Sequence, residues 1–167
     1  MLKIELNGKS KEETYQSLLP ICEHLFECET HWLPVFCNFV ALIKETFNSF
    51  SWVGFYLVKD NKLILGPYQG KVACSEIEIG KGVCGTSALK KETIIVDDVN
   101  MFEGHIACDE NSKSEIVVPL LNDRNILGVL DVDSYNYSNF DTIDKIYLEK
   151  LCYILTNKIL KLNYKGI

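Results

Sequence analysis

With 167 residues, 47 % of them hydrophobic and 24 % charged, the chain has material for one complete core but not for two, and no bias toward a disordered tail. A formal charge of −6 leaves no Lys and Arg stripe to release counterions from a phosphate backbone, which argues against nucleic acid. No apolar run approaches the roughly 18 to 20 residues of a membrane span, and Met1-Leu-Lys-Ile-Glu-Leu-Asn7 lacks the pattern of a leader, so a cytoplasmic single domain over residues 1–167 is expected.

Ser10-Lys-Glu-Glu13 has the form of a capping box. The apolar residues after it (Tyr15, Leu18, Leu19, Cys22, Leu25 and Phe26) keep helical spacing, with a bend expected at Pro20. A second helical pattern from Thr30 places Trp32, Phe36, Phe39, Val40, Ile43 and Phe47 on one side. Cys22, Cys28 and Cys37 lie on or beside these stripes and are expected to act as small buried hydrophobes.

The middle of the chain reads as strands. Trp52 to Val58 and Lys62 to Leu65 form a hairpin about Asp60-Asn61, and Cys74 to Ile79 alternates with period two. Helical spacing returns from Gly80 to Lys90, and Ile94 to Val96 reads as a short strand. The irregular stretch from Asp97 to Lys113 is long enough to suggest function, and it carries Cys108. Strands from Glu115 to Leu121 and from Asn125 to Asp133 flank the polar turn Asn122-Asp-Arg124. Asp141 is the expected N-cap of a final helix marked by Ile143, Ile146, Tyr147, Leu151, Ile154, Leu155 and Leu162. This order predicts an α+β domain with a central six-stranded antiparallel sheet packed between two N-terminal helices, a C-terminal helix and one short inserted helix.

Seven cysteines in a reducing compartment argue against a disulfide framework, and three of them, Cys74, Cys84 and Cys108, fall within 35 residues. Thiols beside acids without a basic partner point to redox chemistry that needs a sulfur nucleophile and a proton donor. Gly80-Lys-Gly-Val-Cys-Gly85 matches a dinucleotide fingerprint, but that fold needs the glycines in the first βα turn of a parallel sheet, and here two helices and a hairpin precede them. Amide groups at this helix start suit a small anion, and the helix dipole is expected to lower the pKa of Cys84. On local charge, Cys84 is therefore a better thiolate than Cys108, which has Asp109 and Glu110 beside it and only His105 to offset them. Metal binding by Cys74, Cys84, Cys108 and His105 is disfavoured, because their spacing fits no common zinc module.

In the last strand Asp131 and Asp133 share a face, in line with Leu127 and Val129, as the rim of a pocket or as a solvated strand end. Glu115 begins the neighbouring strand. A two- or four-residue loop about Asp123 and Arg124 would pair it with Val132 and turn it away, whereas an odd loop or a bulge would pair it with Asp131 or Asp133. The second arrangement is expected if the acids form one site. Trp52, Gly54 and Tyr56 share a face that suits either the core or a clasp around a methyl or thioether group, with Gly54 leaving room for close approach.

Six segments in order are similar to the free methionine-(R)-sulfoxide reductases, which are stand-alone GAF domains: Trp52-Val-Gly-Phe-Tyr56, Gly66-Pro-Tyr-Gln-Gly70, Gly82-Val-Cys-Gly85, Gly104-His-Ile-Ala-Cys-Asp109, Ser114-Glu-Ile-Val-Val-Pro119 and Gly128-Val-Leu-Asp-Val-Asp133. The resemblance implies that Cys108 is the nucleophile, over the local preference for Cys84. It makes Cys74 the usual resolving thiol and places Cys84 at a third redox position. It also implies that Glu115, Asp131 and Asp133 hold the substrate's ammonium and sulfoxide groups, and that Trp52 and Tyr56 line the pocket about its methyl end. The implied reaction reduces free methionine-(R)-sulfoxide through a sulfenic acid and an intramolecular disulfide recycled by thioredoxin, with no metal or organic cofactor and with a homodimer as the expected assembly. The competing reading is a non-catalytic GAF module that senses a small molecule or redox state.

Overall fold

The computed structural model describes residues 10–106 and 109–167. Helix α1 runs from Lys11 to Glu27 through Pro20, and its start is the expected capping box, in which Ser10 and Glu13 satisfy each other's amide groups. Helix α2, Trp32–Thr46, begins one residue after its N-cap His31 and buries Val35, Phe36, Phe39, Val40, Leu42 and Ile43. Of the three helical cysteines only Cys22 is buried; Cys28, which caps the end of α1, and Cys37 are exposed, so proximity to an apolar stripe overstated their burial.

Strands β1 (Phe50–Lys59) and β2 (Lys62–Gln69) form the expected hairpin. Asp60 and Asn61 both take positive φ, the conformation a two-residue hairpin turn demands and which these residue types tolerate. Strand β3 is only Glu76–Glu78, so Cys74 precedes it in irregular backbone rather than lying within a strand. Helix α3 (Gly82–Lys90), strand β4 (Ile94–Val96) and a 3₁₀ turn at Val99–Met101 follow. Strands β5 (Ser114–Asn122) and β6 (Asn125–Ser134) lead to α4, Thr142–Lys161, which is capped by Asp141.

All pairings are antiparallel, in the order β3-β2-β1-β6-β5-β4. This excludes the parallel βαβ unit of a dinucleotide fold. One face of the sheet packs on α1, α2 and α4 through Phe36, Phe39, Phe55, Leu130, Leu148 and Leu155. Buried Asp144 ties α1 to α4, accepting from Tyr15 Oη at 2.8 Å and Lys11 Nζ at 2.6 Å. The other face carries a second apolar cluster under α3, containing Trp52, Tyr56, Val83, Cys84, Val117 and Val129. The glycines of Gly80 to Gly85 serve this packing: Gly80 N–H donates to the Gly85 carbonyl at 2.8 Å, and a Cβ on Gly85 would strike the Glu78 carbonyl. No helix among the described residues is long and apolar enough to cross a membrane.

Candidate active site

The hairpin between β5 and β6 decides whether a site exists. Its loop is two residues, Asp123 and Arg124, since Asn122 pairs with Asn125. Continued unchanged, that register would set Glu115 against Val132 and point it into the helical core. Instead Leu121 pairs with Ile126 and Leu120 with Gly128, so β6 carries one extra residue at Leu127 and every later pair shifts by one. Glu115 then stands opposite Asp133, and Val117 opposite Asp131. The bulge corrects one expectation: Leu127 packs with the helical core, on the face away from Val129, because Leu127 and Gly128 together oppose Leu120.

Glu115, Asp131 and Asp133 line a cavity of about 30 Å³ with Cys84, His105 and Ser112. A smaller cavity of about 20 Å³ meets it at Asp109, Asp131 and Asp133 and is walled by Trp52 and Tyr56. Together they hold only a few waters, so an amino-acid-sized ligand requires the rim to open. The aromatics also anchor that rim: Trp52 Nε1 donates to the Lys71 carbonyl at 3.0 Å, and Tyr56 Oη donates to the Cys74 carbonyl at 3.1 Å. Gly54 does accept a close approach, but from within the protein, because a Cβ there would strike Tyr68 and the indole of Trp52.

Burial pushes Glu115 well above the usual carboxylate range, and the charges of Asp131 and Asp133 push it further. Burial raises Asp131 to about 6, opposed by hydrogen bonds from Cys84 and Glu115. Asp133 is driven well up by burial and then by Asp131's charge, while a hydrogen bond with Ser112 opposes the shift. A proton on Glu115 is placed to be shared toward one oxygen of Asp131. Cys84 is only 4 % exposed, and its Sγ donates to Glu115 Oε1 at 3.9 Å. Burial, then the charges of Asp131 and Glu115, raise its thiol well above the ordinary value. The expectation of an activated Cys84 is thereby overturned, since burial beside acids outweighs the start of a nine-residue helix.

Cys74 is half-buried on the rim. Cys108, expected as nucleophile, lies outside the described residues, but its neighbours on both sides take part in the site. His105 Nε2 approaches Glu115 Oε2 to 3.7 Å, and burial holds the imidazole below its ordinary value, so a neutral ring meets the carboxyl group. Asp109 accepts from Lys71 Nζ at 3.0 Å, from Tyr135 Oη at 2.7 Å and from the Asn111 amide at 3.0 Å. Partial burial works against ionisation there, yet these three donors hold Asp109 at about 2. This clamp joins the Lys71–Cys74 segment, the segment after Cys108 and the start of the β6–α4 connection. It was invisible in sequence, because its members are scattered; only the adjacency of Asp109 to Cys108 hinted at it.

Comparison with known proteins agrees with this geometry. Residues 38–159 match the model of the GAF domain family. The chain is 50 % identical over 155 residues to GAF domain-containing protein A of Dictyostelium discoideum, covering 92 % of this chain and 98 % of that one. It is 48 % identical over 154 residues to free methionine-R-sulfoxide reductase of Saccharomyces cerevisiae, covering 87 % and 86 %. Among solved structures, free methionine-R-sulfoxide reductase from Neisseria meningitidis in complex with its substrate superposes with a TM-score of 0.94 at 40 % identity, over 98 % of each chain.

Proposed function

The chain belongs to the GAF-domain family of free methionine-R-sulfoxide reductases, and from that premise we propose that it reduces free methionine-(R)-sulfoxide to methionine at the pocket between Glu115, Asp131, Asp133, Trp52 and Tyr56. The observation that carries the proposal is the bulge at Leu127, which brings the buried carboxyl groups of Glu115 and Asp131 and the half-buried one of Asp133 together beside an aromatic wall. A ligand bearing both a cation and a proton-hungry oxygen answers that arrangement.

In the proposed reaction the Cys108 thiolate attacks the sulfoxide sulfur while Glu115 delivers its proton to the oxygen, since oxide itself cannot leave. The attack forms a sulfur–sulfur bond, the protonated oxygen leaves the substrate sulfur as hydroxide, and hydroxide then attacks the Cys108 sulfur and breaks the sulfur–sulfur bond, so that the substrate departs as the thioether and Cys108 becomes a sulfenic acid: substrate sulfur is reduced by two electrons and cysteine sulfur oxidised by two. Asp131 and Asp133 hold the substrate's ammonium. Its carboxylate faces the first turn of α3, where Lys81 supplies no side-chain cap to the amide groups of Gly82 and Val83. A peptide-bonded methionine sulfoxide lacks the ammonium charge and does not fit.

Cys74 then attacks the sulfenic sulfur, releasing water and forming a disulfide that a dithiol such as thioredoxin reduces. Cys74 suits this step better than Cys84 because it sits on the accessible rim, whereas Cys84 is a protonated thiol behind the acids. Two copies are proposed to pair through α4 and α1, where Ile146 is 43 % and Tyr153 69 % exposed beside Leu19 and Ile154; a Tyr153→Glu chain should sediment as a monomer. The decisive experiment follows NADPH consumption in a thioredoxin-coupled assay with the R and S diastereomers supplied separately. Turnover of R alone, lost in Cys108→Ser, supports the reductase. No turnover of either returns the chain to a ligand-sensing role.

A further inference from the structure

We propose that Cys84, Glu115 and Asp131 also form a three-ligand site for a thiophilic divalent cation such as Zn²⁺ or Cd²⁺, whose binding blocks the pocket. One thiol sulfur and two carboxylate oxygens from these buried residues lie within 4.8 Å of one another. Zinc–sulfur and zinc–oxygen bonds of about 2.3 and 2.0 Å at a tetrahedral angle place the two donors about 3.5 Å apart. Cys84 Sγ and Glu115 Oε1 already stand at 3.9 Å, so this pair needs a side-chain adjustment of a few tenths of an ångström to close on a cation, with the Asp131 oxygen drawn in from within 4.8 Å.

A second observation points the same way. Asp131 is 8 % exposed, lines the cavity and has one oxygen, Oδ1, buried without a hydrogen-bond partner among the described residues. Leaving a carboxylate oxygen in that state is costly, and a cation in the cavity relieves it. The donor set selects among metals. Magnesium and calcium demand six or more oxygen donors and gain nothing from sulfur, whereas one thiolate with two carboxylates suits zinc and cadmium and leaves a fourth position for water or for His105 at the cavity wall. On binding, the sulfur–hydrogen bond of Cys84 and the oxygen–hydrogen bond of Glu115 break, both protons pass to solvent and bonds from sulfur and oxygen to the metal replace them, with no change in oxidation state.

The corollary that metal and substrate exclude each other rests on the reductase reading; metal binding itself does not. The test therefore omits substrate. It uses the full chain, reduced, with Cys28, Cys37, Cys74 and Cys108 replaced by serine so that the remaining thiols are Cys84 and the core residues Cys22 and Cys152. Titration with Cd²⁺ should give one equivalent with the ultraviolet charge-transfer band of a cadmium–thiolate bond. Cys84→Ser should abolish the band, and the near-isosteric Glu115→Gln and Asp131→Asn should each weaken binding by roughly tenfold or more. No band in the parent chain, a band that survives Cys84→Ser, or affinity untouched by both amide substitutions would each overturn the site. The amide variants keep the test decisive if Cys84→Ser does not fold.

Discussion

Glu115 stands directly across the β5–β6 ladder from Asp133 because β6 carries one residue too many at Leu127. A two-residue turn alone would have paired Glu115 with Val132 and buried a carboxyl group among the phenylalanines of the helical core. One extra residue, twelve positions after Glu115 in the chain, converts a hydrophobic hairpin into an acidic site.

The acids should divide their work. Glu115 is held well toward its protonated form by burial and by two neighbouring carboxylates, so Glu115→Gln should cut kcat by about 10² to 10⁴-fold with a smaller change in KM. Asp133→Asn should act chiefly on KM through the lost ammonium partner. Steady-state kinetics of both variants check the division, and a Glu115→Gln defect confined to KM would move the proton donor elsewhere.

Stability should fall as the pH rises from about 4 to about 7. Burial raises Asp131 to about 6 in the folded chain, above its unfolded value of about 3.9, so the folded state binds the extra proton between these limits. The associated stability is complete below the lower value and lost as the pH passes the upper one; it is bounded at roughly 3 kcal/mol if Asp131 titrated alone. Asp109, held at about 2, acts oppositely and withdraws stability as the solution is made more acidic than about pH 4. Urea denaturation across this range and above it should show Asp131→Asn more stable than the parent at pH 8, and an unchanged midpoint would refute the linkage.

Thiol labelling should separate the cysteines by environment. In the folded, reduced chain Cys28, Cys37 and Cys74 should alkylate readily, whereas Cys22, Cys84 and Cys152 should react only after unfolding. Mass-spectrometric mapping after a short iodoacetamide pulse reads this directly. Equal labelling of Cys84 and Cys74 would contradict the buried, protonated thiol.

Gly54→Ala should be disproportionately harmful. The added methyl meets Tyr68 and the Trp52 indole, and the indole is itself pinned by its hydrogen bond to the Lys71 carbonyl. A loss of about 1 to 3 kcal/mol is expected, together with weaker substrate binding as the aromatic wall shifts. Thermal denaturation and KM should move together, and a silent substitution would mean that Trp52 is not held where it lies.

Local signals were enough for the element order, the Ser10 capping box, the Asp60-Asn61 turn and the Asp141 cap, because periodicity, capping and turn chemistry act over a few residues. They failed where burial or strand register decided. The exposure of Cys28 and Cys37, the direction of the Cys84 shift and the side on which Leu127 packs all depend on what other elements bring against those residues. The Lys71–Asp109–Tyr135 clamp is assembled from separate segments and left no pattern in any one of them. By itself the sequence determined which chemical groups were available and which strands carried them. Only the tertiary structure decided which groups met, since a one-residue bulge reverses the face of every later side chain, and since desolvation inside a sheet outweighs the local charge pattern.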